Sequence, residues 1–204
     1  MSRARKKKSF CRACFQLQVD NVRLRRELEQ AKKIIEDGHW ADPLTGLASR
    51  MRLEEEIKHH FGILSRELRG VERQVGHFSV AFLDLDGFGP VNKEKGHLVG
   101  NALLQEFADF LKASTRPGDI VARFAGDEFV ILMPSTNKEQ ARAFSTKIEE
   151  SLREFVFFKD RCPMTLGVSI GSASTSEDLS TLETLIHTAD IRMSERKRKK
   201  KVKD

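Results

Sequence analysis

The stretch DIVARFAGDEFVILMP, residues 119 to 134, leaves this chain few folding choices. Two runs of strand-forming apolar residues flank Ala125 and Gly126, an interval so short that only a tight hairpin turn can join them. A hairpin is not stable alone, so the flanking segments must supply further strands and a covering layer. Two acids, Asp127 and Glu128, stand just past the turn and begin the second strand in this reading.

The flanking segments do have that character. MRLEEEIKHHFGILSRELR repeats apolar residues at helical spacing through Leu53, Ile57, Phe61, Leu64 and Leu68. HFSVAFLDLD reads as a buried strand running out into Asp84 and Asp86. LVGNALLQEFADFLKAST returns to helical period, and NKEQARAFSTKIEESLREF is a helix with Asn137 as its cap. MTLGVSIGSAS is a further strand, and LSTLETLIHTADIRMSERK a closing helix. Strands and helices alternate irregularly around one hairpin, which predicts an α+β fold, a mixed-sheet α/β sandwich. If the strand carrying Asp84 lies beside the hairpin, three carboxylates meet, and such oxygen ligands suit Mg²⁺ or Mn²⁺ and a nucleotide phosphate. The plainer alternative is that these acids are ordinary turn residues.

Charge separates the ends from the body. Residues 1–41 hold 11 Lys/Arg against 5 Asp/Glu, residues 196–204 hold 7 against 1, and the 154 residues between them hold 18 against 24. The basic ends, RARKKK and RKRKKKVK, are either solvated tails or surfaces for nucleic acid, acidic lipid or an acidic partner. No run approaches the about 18 apolar residues of a membrane span, and MSRARKKKSF lacks the apolar core of a signal peptide, so a cytoplasmic location is expected. Cys11 and Cys14 have the spacing of half a zinc site, which a dimer would complete; otherwise they, with Cys162, are reduced thiols. Leu17, Asn21, Leu24, Leu28, Ala31 and Ile35 follow a heptad seam, with Asn21 at an inward position that selects register and a dimer. A single solvated helix is the alternative reading of this short seam.

Taken in order, DPLTGLASR, DLDGFGPVNKEKGHLVGN, ARFAGDEFVILMP, VSIGSAS and HTADIRMSERK resemble the motifs of the GGDEF domain of diguanylate cyclases, over residues 42 to about 201. The resemblance divides the chain into a basic segment with a dimerising helix (1–40), a GGDEF-type domain (41–198) and a basic tail (199–204). It implies a five-stranded, mostly antiparallel sheet wrapped by helices, akin to nucleotide cyclases and the polymerase palm. It also implies a homodimer that joins two GTP molecules into cyclic di-GMP with Mg²⁺ or Mn²⁺. By position, Asp84, Asp127 and the Leu85 carbonyl match metal ligands, and Glu128 matches the residue that assists deprotonation of the attacking 3′-hydroxyl or completes the metal site. Phe88, Asn92, Asn101, Ala125, Gly126, Lys197 and Lys201 fall on the substrate side, Asn92 toward guanine and Lys197 toward the phosphates. Arg116 and Asp119 match the R-x-x-D site at which product inhibits; the plain alternative is a turn.

Several positions depart from the family's pattern. Ala125 replaces the first signature glycine, Gly89 a lysine and Ser194 a tyrosine, and Lys201 stands for an arginine without its bidentate fork. Asn101 replaces an aspartate; its acceptor and donor can pair with adenine as well as guanine, which opens a cyclic GMP-AMP reading. Two further readings stand beside the enzyme: a catalytically weak or silent receptor for cyclic di-GMP that signals to a protein partner, and a purely structural interaction module.

Overall fold

The computed structural model describes residues 40–67, 76–158 and 163–201. The heptad seam, Cys11, Cys14, Cys162 and the tail after Lys201 lie outside the described residues. In chain order the elements are β1 (Ala48–Ser49), α1 (Arg50–Glu67), β2 (Ser79–Asp86), α2 (Phe88–Lys95), α3 (His97–Ser114), β3 (Ile120–Ala125), β4 (Glu128–Met133), α4 (Lys138–Glu154), β5 (Gly167–Ser174), a 3₁₀ turn (Thr175–Glu177) and α5 (Leu182–Lys201).

The strands form one five-stranded sheet in the order β1-β3-β4-β2-β5. Only β1 and β3 run parallel; the other pairs are antiparallel, as the resemblance implies. Because β2 lies between β4 and β5 and both sheet faces are covered, SVAFLDLD is buried almost throughout rather than alternating with polar residues. The pleat still sorts its side chains. Leu83 and Leu85 join Phe129 and Ile131 under α3 and α4, with Phe107, Ile148 and Leu152. Val80 and Phe82 join Val130 and Leu132 under α1 and α5, with Leu53, Ile57, Leu185 and Met193. Asp84 and Asp86 share the parity of Val80 and Phe82, and Glu128 that of Val130, so these acids fall on the face covered by α5.

Two close arrangements set the positions of the helices. Asn137 caps α4 with a reciprocal box: its Oδ1 accepts from the Gln140 N–H at 2.9 Å, and its own N–H donates to Gln140 Oε1 at 3.0 Å. α5 presses so closely on β5 that a Cβ at Gly171 would lie 2.1 Å from the Ala189 carbonyl and 2.2 Å from the Met193 nitrogen. Glycine therefore fixes how near α5 comes to the sheet acids.

The hairpin differs from expectation by one residue. Its register shifts between Arg123 and Ala125, so β3 extends to Ala125 and the turn is Gly126 and Asp127 rather than Ala125 and Gly126. Gly126 has φ 48°, the left-handed region that favours glycine, whereas Ala125 is not among the residues with positive φ. Asp127 thus belongs to the turn, and Glu128 opens β4 as expected. The sequence reading did not include β1 or α2. FGPVNKEK lacks an apolar stripe, and its Pro90 is tolerated only because it lies in the first turn, where no intrahelical N–H is needed.

Candidate active site

The sheet brings the three signature acids together. Asp84 is the direct cross-strand partner of Glu128, and the Leu85 N–H reaches the Asp127 carbonyl at 3.4 Å. Asp84 is buried, and Lys197 from α5 places its ammonium on the Asp84 carboxylate. Three residues later Lys200 donates to Asp86 Oδ2 at 2.9 Å, and Ser169 Oγ donates to Asp86 Oδ1 at 2.7 Å. Burial pushes the Asp84 carboxyl up, Lys197 opposes this, and Asp127 and Asp86 add to it. Glu128 is also pushed up, first by burial and then by Asp84, Asp190 and Asp127, against Lys197.

Crowded carboxylates of raised pKa are what a bound cation would relieve, and the donors are hard oxygens. Among the described residues no three His, Cys, Asp or Glu side chains stand as a ready metal-binding group. The oxygens that the family resemblance assigns to a divalent ion, the Asp84 and Asp127 carboxylates and the Leu85 carbonyl, lie where β2 meets the signature turn, and Asp127 is near enough to act on the Asp84 carboxyl.

The signature turn is braced from a distance. Arg123 donates from Nε to the Gly126 carbonyl at 2.9 Å and from Nη1 to both Asp42 oxygens at 3.3 Å. Asp42 also accepts from the Thr45 N–H at 2.9 Å and from Thr45 Oγ1 at 2.7 Å. Burial acts to raise the Asp42 carboxyl, but Thr45 and Arg123 outweigh it and hold it below its ordinary value. DPLTGL and the hairpin are therefore one mechanical unit that fixes where Asp127 sits.

Of the residues that the resemblance puts on the substrate side, Asn92 has the most distinctive surroundings. Its Oδ1 is buried with no hydrogen-bond partner among the described residues, an arrangement proteins rarely leave unanswered. It lies over Gly100, where a Cβ would be 1.8 Å from Asn92 Oδ1 and 3.3 Å from the Phe88 ring. Phe88 is buried, and Asn101, Ala125, Gly126 and Gly89 are exposed. A Cβ at Gly89 would meet nothing within 4 Å, so its glycine answers no packing need. Lys201 closes α5, four residues after Lys197.

Arg116 and Asp119 lie on the α3–β3 connection, apart from the sheet acids. Arg116 pairs with Asp119 through Nε at 3.1 Å, and its Nη2 donates to Thr136 Oγ1 at 2.7 Å and to the Pro134 carbonyl. The pair thus ties two loops together, and a cavity opens on either side of it. One, of about 460 Å³, is lined by Arg52, Lys112 and Gly118 among others; the second, of about 330 Å³, by Gln140, Phe144 and Lys147. Arg52 Nε, in the first, is buried without a hydrogen-bond partner among the described residues.

Residues 39–203 match the family model described as diguanylate cyclase, GGDEF domain. The chain belongs to the GGDEF domain family. Among its relatives, the Escherichia coli protein named probable diguanylate cyclase DgcE is 28% identical over 176 residues, 85% of this chain and 15% of the relative. Diguanylate cyclase A of Treponema denticola is 30% identical over 146 residues, 70% of this chain and 39% of the relative. The chain therefore spans well under half the length of either relative. The structure of an N-terminally truncated Pseudomonas aeruginosa PA1120 comprising only the GGDEF domain superposes with a TM-score of 0.69 at 27% identity, covering 78% of this chain and 89% of that one.

In this GGDEF domain the expected carboxylates converge, and Lys200, Asp190 and Arg123, which sequence patterns did not single out, join them, as does a pairing for Asp86. Asp86 and Lys200 form a second acid–base pair beside Asp84 and Lys197. Asp190 raises Glu128 from α5, and Arg123 anchors the turn. The parity of DLD and the three-residue spacing of Lys197 and Lys200 were the available signals for the second pair.

Proposed function

We propose that this chain is a diguanylate cyclase domain that condenses two GTP molecules, one on each of two protomers, into cyclic di-GMP. The observation that carries the reading is the cross-strand pairing of Asp84 with Glu128, beside Asp127 in a braced turn, in a family whose matched relatives are named diguanylate cyclases. Asn92, whose unpaired Oδ1 lies buried against Gly100 and would turn outward to do so, offers an acceptor for the guanine N–H donors, and the exposed Asn101 supplies a further polar group. Lys197 holds the Asp84 charge in the free protein and is close enough to pass to a triphosphate. Mg²⁺ or Mn²⁺, held by Asp84, Asp127 and the Leu85 carbonyl, would neutralise triphosphate charge and lower the pKa of the attacking hydroxyl. Glu128, whose carboxyl is pushed up by burial and then by Asp84, Asp190 and Asp127, is when ionised a stronger base than a free glutamate, which suits a group that takes the proton of the 3′-hydroxyl as its oxygen attacks the α-phosphorus of the partner's GTP. Pyrophosphate leaves in each of the two bond-forming steps.

The heptad seam supports a homodimer through the N-terminal helix. The cavities beside Arg116 and Asp119 support product binding there, with feedback on turnover or relay to a protein partner. Arg116 would have to exchange its own contacts for those of the ligand. No helix among the described residues is long and apolar enough to cross a membrane.

Purified protein, stripped of nucleotide and given GTP with Mg²⁺ or Mn²⁺, should yield cyclic di-GMP by mass spectrometry, and Glu128→Gln should not. ATP in the same mixture tests Asn101, because a mixed cyclic dinucleotide would overturn guanine specificity. Absence of product, with cyclic di-GMP binding that Arg116→Ala removes, would contradict the enzyme and establish the receptor.

A further inference from the structure

The closing helix carries more cations than the sheet acids use. Lys197 and Lys200 turn to Asp84 and Asp86. Arg192, Arg196 and Lys199, spaced four and three residues apart, form a separate stripe along a cleft at the outer edge of β5. Lys138 and Arg142, from the start of α4, complete its basic lining, and Gly171 and Ser172 contribute from the strand.

Charges around this cleft do not balance. Glu177 answers both Arg192, at 2.7 Å, and Lys138, at 2.9 Å, and Glu149 answers Arg196 at 2.9 Å. Glu195 is the one acid in the lining. Arg142 and Lys199 have no ion-pair partner among the described residues, so two of the five cations exceed the acids around them. This excess stands on a body, residues 42–195, in which 24 acids outnumber 18 Lys/Arg. Lys138, Arg142 and Arg192 come from that acid-rich body and Arg196 and Lys199 from the basic end, residues 196–204, so the cleft gathers cations from both.

We propose that the cleft between α4 and α5 is a second anion site that takes a di- or triphosphate group. Its volume of about 270 Å³ falls below the usual range of pockets that bury a whole cofactor, and suits a compact polyanion. Arginine forks match phosphate oxygens in paired hydrogen bonds; Arg142 has no ion-pair partner among the described residues and Arg196 gives Glu149 only its Nη1, whereas the Arg192 fork is held by Glu177 and the Ser172 carbonyl and adds charge alone. The group arrives either free, as pyrophosphate or tripolyphosphate, or as the tail of a nucleotide whose base stays outside. The site shares no residue with the carboxylate cluster and stands whether or not that cluster turns over GTP.

Calorimetric titration of the full chain with inorganic tripolyphosphate, without divalent metal and at physiological salt, tests the proposal. One site per chain is expected, weakened at least tenfold in Arg142→Ala/Lys199→Ala and retained in Lys197→Ala. Arg142 and Lys199 are exposed, so the double variant should keep the wild-type circular dichroism and melting temperature. GTP binding at the same residues more tightly than tripolyphosphate would assign the nucleotide source; no gain from the nucleoside would assign the free anion. Equal affinity in the double variant, loss in Lys197→Ala alone, or a stoichiometry that drifts with salt would each overturn the site. A glutamate hexapeptide binding these residues more tightly than tripolyphosphate would overturn the ligand class and make the cleft a protein-docking surface.

Discussion

Restoring the usual signature glycine, Ala125→Gly, separates two explanations of what the alanine does. Ala125 ends β3 opposite Glu128, is exposed, and is not among the positive-φ residues. The left-handed turn residue is Gly126, at φ 48°. The substitution therefore relieves no backbone strain, and it adds chain freedom to the unfolded state worth about 0.5–1 kcal/mol. For a domain of this size that lowers Tm by about 2–4 °C per kcal/mol. On the chemistry, a methyl that meets no strained backbone should leave kcat/KM for GTP within about twofold, under 0.5 kcal/mol of barrier. Thermal unfolding by circular dichroism and initial rates of pyrophosphate release measure the two effects separately. A rise in Tm, or a gain of tenfold or more in kcat/KM, about 1.4 kcal/mol, would refute the reasoning by showing that the alanine obstructs the fold or the nucleotide.

Three further outcomes are expected. Gly100→Ala should gain up to about 1 kcal/mol of helix propensity yet displace Asn92, since the new methyl would lie 1.8 Å from its Oδ1; stability near wild type with KM for GTP raised at least tenfold is the signature, and an unchanged KM would contradict it. Arg123→Ala should destabilise by about 1–3 kcal/mol in urea unfolding, because Asp42 and the Gly126 carbonyl lose their partner, and it should slow turnover more than Arg50→Ala, an exposed control. The Arg192 fork, then Lys138, hold the Glu177 carboxyl at about 2 against the opposing effect of burial, below its ordinary 4.5. A depressed carboxylate stabilises fully above its unfolded pKa, so Glu177→Gln should cost about 1–2 kcal/mol at neutral pH. That difference from wild type should shrink as pH falls from 4.5 toward about 2; a gap that stays constant would contradict the ion-pair account.

Much of the architecture was legible because apolar periodicity and turn chemistry agreed. The hairpin, the Asn137 cap and the parity that delivers Asp84 and Glu128 to one face follow from local pattern alone. What was not legible depends on contacts far apart in sequence. Two residues make β1, too few to show a period, and it exists because β3 pairs with it. α2 forms on a segment holding Gly89 and Pro90 because Phe88 is buried in the core. The turn moved by one residue because a bulge between Arg123 and Ala125 lengthens β3, which no composition rule announces. Arg123 itself looked like an ordinary strand residue, and only its 81-residue reach to Asp42 shows that it braces the signature.

In the proposed function Asp84, Asp127 and Glu128 form one metal–triphosphate site. Manganese binding followed by electron paramagnetic resonance, with a non-hydrolysable GTP analogue present, tests it most directly. Nucleotide-dependent Mn²⁺ binding is expected in the wild type, with a loss of at least tenfold in affinity in Asp127→Asn at unchanged fold. Binding that is indifferent to the nucleotide, or equal in Asp127→Asn, would contradict the account.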